Sequence, residues 1–96
     1  MITEVAILDI KPELVNEFEP AFSKAQTIIS SMDGYINHQL QRCIENKHRY
    51  ILIVNWASLE AHTKGFRESE QYQNWKALLH HFYEPFPTVE HYERVF

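Results

Sequence analysis

The chain has 96 residues, a formal charge of −4 and 45% hydrophobic residues, which suits one folded domain over residues 1–96 and excludes disordered and fibrous classes. Its nine Lys and Arg are scattered and its pI is near 5.8, so neither nucleic acid nor an acidic membrane surface is an expected partner. Cys43 stands alone and Glu4 and Asp9 sit where a signal peptide would be basic, which together predict a reducing, cytoplasmic location.

In chain order, "TEVAILDI" (3–10) is rich in β-branched and apolar residues and predicts a strand. It stops at "KPE", where Pro12 suits a first helical turn. From Glu13 to Met32 the apolar residues Leu14, Phe18, Phe22, Ala25, Ile28, Ile29 and Met32 recur at helical spacing, with a kink expected at Pro20. Gly34 is placed to end that helix in a left-handed conformation.

"YINHQLQRC" (35–43) alternates, with Ile36, His38, Leu40 and Arg42 on one face. "IENKH" reads as a hairpin loop, and "RYILIVNW" (49–56) returns as a third strand. Its longest aliphatic run, Ile51 to Val54, is far too short to span a membrane. Ser58 is a candidate N-cap for a helix carrying Leu59, His62 and Phe66 on one stripe. Gly65 is expected to interrupt it, and Ser69 to start a second segment bearing Tyr72, Trp75, Leu79 and Phe82. After Pro85 and Pro87, "TVEHYERVF" reads as a fourth strand.

The resulting order is βαββαβ, an α+β ferredoxin-like arrangement with a four-stranded antiparallel sheet. The nearly continuous apolar runs "VAIL" and "ILIV" suit central strands, and the alternating 35–43 and 88–96 segments suit edges. The third strand is apolar on both parities: Tyr50, Leu52, Val54 and Trp56 one way, Ile51 and Ile53 the other. Helices on one face leave the second bare, at roughly 25 cal/mol for each Å² of apolar surface. A homodimer with the two sheets face to face is the simplest cover.

"DGY", "RYILIVNW", "SLEAH", the S-x-x-Y-x-x-W spacing of Ser69, Tyr72 and Trp75, and "FPTVEHY" together resemble the antibiotic biosynthesis monooxygenase family of dimeric α+β barrels. The resemblance spans Ile2 to Val95. It implies a dimeric barrel and a cofactor-independent monooxygenase acting on a small aromatic phenol or quinol with dioxygen. Members that oxidise aromatic polyketides place a tryptophan at the end of the third strand, matched by Trp56. Six residues on they use a tyrosine, where this chain has His62. Four residues before the tryptophan they use an asparagine, where this chain has Leu52, with Asn55 nearby. Haem-degrading members need an asparagine matching Val5 and a histidine near Trp75 or Lys76, so the resemblance disfavours haem.

His62 and Trp56 are the candidate catalytic residues, placed on opposite walls of one pocket between the third strand and the second helix. An imidazole suits proton abstraction near neutral pH; a core histidine satisfied by the backbone is the other reading. His38, Leu52, Asn55, Phe66, Tyr72, Trp75 and Phe82 are the candidate substrate-binding residues, an aromatic set that suits a flat ligand but equally a packed core. His80 and His81 are adjacent on a helix, so only one can face inward. The six histidines lack metal-ligand spacing, and Gly34 and Gly65 are too few and too far apart for a phosphate loop. No metal, haem or flavin is therefore expected. Two functional classes stay open: the small enzyme, and a non-catalytic small-molecule-binding or stress-response dimer on the same scaffold.

Overall fold

The computed structural model describes residues 1–96. Strand β1 (Ile2–Asp9) leads through a short 3-10 turn (Pro12–Leu14) into helix α1 (Val15–Ile29), followed by β2 (Tyr35–Arg42) and β3 (Arg49–Trp56). A π-helical turn (Ala61–Phe66) precedes α2 (Glu70–Leu79), and β4 (Val89–Tyr92) closes the sheet. The strands lie in the order β2-β3-β1-β4, every pair antiparallel. This is the expected α+β ferredoxin-like fold, with β1 and β3 central. The molecule measures 36 × 34 × 19 Å, and the short dimension is about one sheet plus one helix layer.

One parity of each central strand is sealed under the helices: Glu4, Ala6 and Leu8 of β1, and Tyr50, Leu52, Val54 and Trp56 of β3. Against them pack Phe18, Phe22, Ala25 and Ile29 of α1 and Trp75 and Leu79 of α2. The opposite parity stays open. There Val5 pairs with Ile53 and Ile7 with Ile51, a patch of four aliphatic side chains at the centre of the face.

Three local readings are corrected, and the proline in α1 is accommodated. Helix α1 runs from Val15 to Ile29 with Pro20 inside it; the proline is exposed, so the carbonyl deprived of its partner can meet water. In β2 a bulge between Tyr35 and Asn37 breaks the alternation. Tyr35 and His38 therefore share the helix face, and Ile36 is turned outward and 47% exposed. The turn after Ser58 is π-helical, marked by Arg67 N–H donating to the His62 carbonyl at 3.1 Å, and Leu59 lies outside its buried stripe. Strand β4 is four residues long because only Val89 to Tyr92 find partners on β1.

Both proposed caps are present. The Ser58 hydroxyl accepts from the Ala61 N–H at 3.2 Å and the Ser69 hydroxyl from Tyr72 at 3.1 Å. Gly34 has φ +83°, and a Cβ there would lie 2.6 Å from the Ala61 Cβ. Glycine thus lets the α1–β2 turn rest directly on the π-turn, which fixes where His62 enters the core.

Candidate active site

The site is built from sheet register. On β1, Glu4 pairs with Val54 of β3 and with His91 of β4. Trp56 is two residues beyond Val54 on the same face, the diagonal distance that a large side chain can span. Its indole N–H donates to Glu4 Oε1 at 2.9 Å. His62 reaches the same carboxyl from the π-turn, with Nε2 3.4 Å from Oε1 and its ring stacked on Trp56 at 5.3 Å between centroids and 17° between planes. Its other nitrogen, Nδ1, lies 2.7 Å from His91 Nε2. Glu4 and His62 are only 5% and 3% exposed, so these are interior groups and their environment decides their charge.

Burial holds the Glu4 carboxyl above the ordinary carboxylate range, opposed by the Trp56 hydrogen bond and the positive charge of Arg67. Burial pushes His62 down to about 3, assisted by Arg67 and His91. His91 is lowered too, by burial and then by Arg67. The His62–Glu4 contact is therefore one between a neutral imidazole and a carboxyl group, not an ion pair. At 3.4 Å it is longer than a normal hydrogen bond, and it returns less than removing an imidazolium from water costs. When Glu4 is ionised, a bare His62 Nε2 lone pair facing it would repel. The proton then belongs on Nε2, and the His91 Nε2–H donates to His62 Nδ1.

Beside this cluster opens a cavity of about 370 Å³. Glu4, Ala6, Leu8 and Leu52 form its floor, His62, Phe66 and Arg67 one side, and Tyr72, Trp75, His80, Tyr83 and Phe86 the other. Glu4 Oε1 is occupied by Trp56, and no fully buried polar side-chain atom lacks a partner, so the unbonded Oε2 keeps some accessible surface on a residue that lines the cavity. Arg67 forms neither a salt bridge nor a side-chain hydrogen bond within the chain, and it brings a free positive charge to the same space. His62 turns its two nitrogens to different partners, so Glu4, His62 and His91 do not converge on a point, and no three His, Cys, Asp or Glu side chains are grouped to hold a metal ion.

The cavity gathers His62, Leu52, Phe66, Tyr72 and Trp75 from the residues singled out in the sequence. It does not gather the rest. Trp56 is fully buried and lies behind His62, stacked on it instead of facing it across a space. His38 lies toward α1, where Tyr35 OH is 2.5 Å from Nδ1 and Gln26 Oε1 is 3.0 Å from Nε2. Asn55 has the open-face parity and donates to Asn37 Oδ1 at 2.7 Å. Phe82 fills the core against Phe18 at 5.5 Å. Glu4, Arg67 and His91 were not singled out. For Glu4 the signal was present: an acidic residue sharing strand parity with Ala6, Leu8 and Ile10 must be buried, and burial perturbs it. His91 shares parity with Val89 in the same way, whereas Arg67 carries no sequence signal.

The family model described as "Antibiotic biosynthesis monooxygenase" matches residues 1–78. The chain belongs to the antibiotic biosynthesis monooxygenase family. Among curated proteins this family member is 58% identical over 95 residues to the uncharacterized protein YczJ of Bacillus subtilis, covering 99% of this chain and 100% of that one. Among solved structures it resembles a Bordetella bronchiseptica protein assigned by name to the same family, with a TM-score of 0.93 and 29% identity over 99% of this chain and 97% of that one. It also resembles SnoaB of Streptomyces nogalater, named a cofactor-independent oxygenase, with a TM-score of 0.77 over 99% of this chain and 94% of that one. That likeness, at 19% identity, speaks to the fold.

Proposed function

We propose that this chain is a cofactor-independent monooxygenase that oxidises a small phenol or quinol with dioxygen, working as a cytoplasmic homodimer. The observation that carries the reading is the cavity itself: aromatic walls around one buried carboxyl–imidazole pair. A flat aromatic ligand fits such walls, and few polar groups are needed to orient it. For a phenol the overall reaction balances without an external reductant. The O–H hydrogen and one ring hydrogen are lost, one dioxygen atom becomes the new carbonyl, and the other leaves as water. The protein has only to bind the phenol away from bulk water and remove its proton, because the phenolate itself gives the first electron to dioxygen. Family membership supports this reaction class, and the SnoaB-like fold agrees with it.

The homodimer reading rests on Val5, Ile7, Ile51 and Ile53 on the open face of the sheet. A second sheet would cover this patch, with Asn37, Gln39 and Gln41 of β2 at its polar margin. Oxygen consumption with a panel of polyphenols tests the reaction. Uptake is expected with at least one of them. No uptake from any phenol would reject the monooxygenase reading and leave a binding protein in its place.

A further inference from the structure

We infer that Glu4 is the group that takes and returns the substrate proton, and that His62 and His91 are its positioning residues. The inference rests on the proposed function for the phenol but on this structure for the assignment. Glu4 lines the cavity and its Oε1 is held by the Trp56 indole at 2.9 Å, which leaves the unbonded Oε2 as the oxygen able to react. His62 cannot fill that role while its partners stand: Nδ1 is engaged by His91 at 2.7 Å and Nε2 faces Glu4 at 3.4 Å. Its low affinity for a proton agrees. A phenol near pKa 10 would lose about seven powers of ten in giving its proton to such a base. A carboxyl raised by burial lies closer to the phenol and stays able to give the proton back.

The proton balance closes on Glu4 alone. The phenol O–H proton passes to Oε2, giving a phenolate and a neutral carboxylic acid. The phenolate gives one electron to dioxygen, and the two radicals join in a new carbon–oxygen bond. Glu4 then returns its proton to the outer oxygen of this peroxide. Next it takes the hydrogen from the ring carbon as the O–O bond breaks, which leaves a carbonyl and hydroxide. Donating that proton to hydroxide forms water and restores the carboxylate. No proton has to leave for solvent, so a closed site is no obstacle.

His62 serves this cycle by remaining uncharged, since an imidazolium 3.4 Å away would pull the carboxyl down and weaken it as a base. His91 fixes the ring that does so. The other ionisable groups lining the cavity with Glu4 are Arg67, just after the π-turn, and Tyr72, His80 and Tyr83 from the far wall. Arg67 is the one free positive charge among them, and it favours the phenolate once formed.

Anaerobic binding of 4-nitrophenol separates this inference from the reaction class, because the bound phenolate is read by its absorbance without any oxidation. The measurement is made at a pH where the free phenol is neutral. The wild-type protein is expected to show bound phenolate, and Glu4→Gln bound neutral phenol. The glutamine keeps an oxygen for the Trp56 N–H, so the fold is retained. His62→Gln should retain phenolate. In His91→Ala the titration of the bound phenol should move by about half a unit or more, since water then reaches the pair. If 4-nitrophenol drives oxygen uptake, Glu4→Gln should slow it about 100-fold or more. Phenolate persisting in Glu4→Gln, or lost in His62→Gln alone, would overturn the assignment and make His62 the base. Normal phenolate formation with no oxygen uptake from any phenol of the panel would overturn only the reaction class. No binding of the phenol at all would overturn both.

Discussion

His62 should make the protein acid-sensitive, and its replacement by glutamine should remove that sensitivity. The imidazole has an ordinary value of 6.5 in the unfolded chain and about 3 in the folded one. A base whose folded value is depressed stabilises the fold fully above 6.5, and that contribution is lost as pH falls toward 3. At about pH 4.5 the unfolded chain has protonated this histidine and the folded protein has not, so the loss is about 2–3 kcal/mol. His62 is 3% exposed, so solvent screening leaves most of this figure intact. For a chain of this size it corresponds to a fall in Tm of roughly 10–20 °C. Glu4 acts in the opposite sense: its folded value is raised, so its contribution is fullest at low pH and lost as pH rises through that value. Because both proteins carry Glu4 and the surface carboxylates, the informative quantity is the difference between their melting temperatures. Thermal melts of wild type and His62→Gln from about pH 7 to about pH 4.5 should show that difference changing by the 2–3 kcal/mol calculated above. A constant difference, within about 0.5 kcal/mol across the range, would refute a buried neutral His62.

Trp56→Phe removes the indole donor from Glu4 and should cost about 2–4 kcal/mol. The loss measured by denaturant should be larger at neutral than at acid pH, because that hydrogen bond favours the ionised carboxyl. Gly34→Ala forces a left-handed side chain and a 2.6 Å approach to Ala61, for an expected loss of about 2–4 kcal/mol; a melt within a few degrees of wild type would show that the π-turn simply moves aside. Ile53→Asp places a charge in the open aliphatic patch and should convert a wild-type dimer into a monomer by sedimentation, whereas a wild type that sediments as a monomer at micromolar concentration removes the face-to-face homodimer altogether.

The sheet order was legible because two strands had apolar residues on both parities and two alternated, and that contrast is set by burial alone. The caps at Ser58 and Ser69 were legible because they are local chemistry. The bulge at Ile36 was not, since nothing in "YINHQ" departs from regular alternation. Its consequence was large: Tyr35 and His38 share a face and bond to each other, so His38 is spent on a structural contact with α1. The pocket was half legible. Phe66, Tyr72 and Trp75 followed from helical spacing. Arg67 did not, because its place depends on the π-turn, whose extra residue changes which side chains reach the cavity.

Placing Glu4 under the helices runs against stability. A carboxyl at an inward position of a central strand must be desolvated, and a leucine there would extend the row formed by Ala6 and Leu8. The fold supplies only partial compensation: one indole N–H, one neutral imidazole beyond hydrogen-bonding range, and an arginine across a cavity. Full compensation, with a second donor on Oε2 or an imidazolium beside Oε1, would hold the carboxylate ionised and unable to accept a proton. Trp56 is the arrangement's fixed point. Its single donor orients the carboxyl while leaving one oxygen free, and its ring gives His62 a flat surface that excludes water. An aromatic residue without the N–H would keep the second function and lose the first. The tryptophan at the end of the third strand thus holds the Glu4 carboxyl and backs His62, while its own ring lies outside the cavity lining.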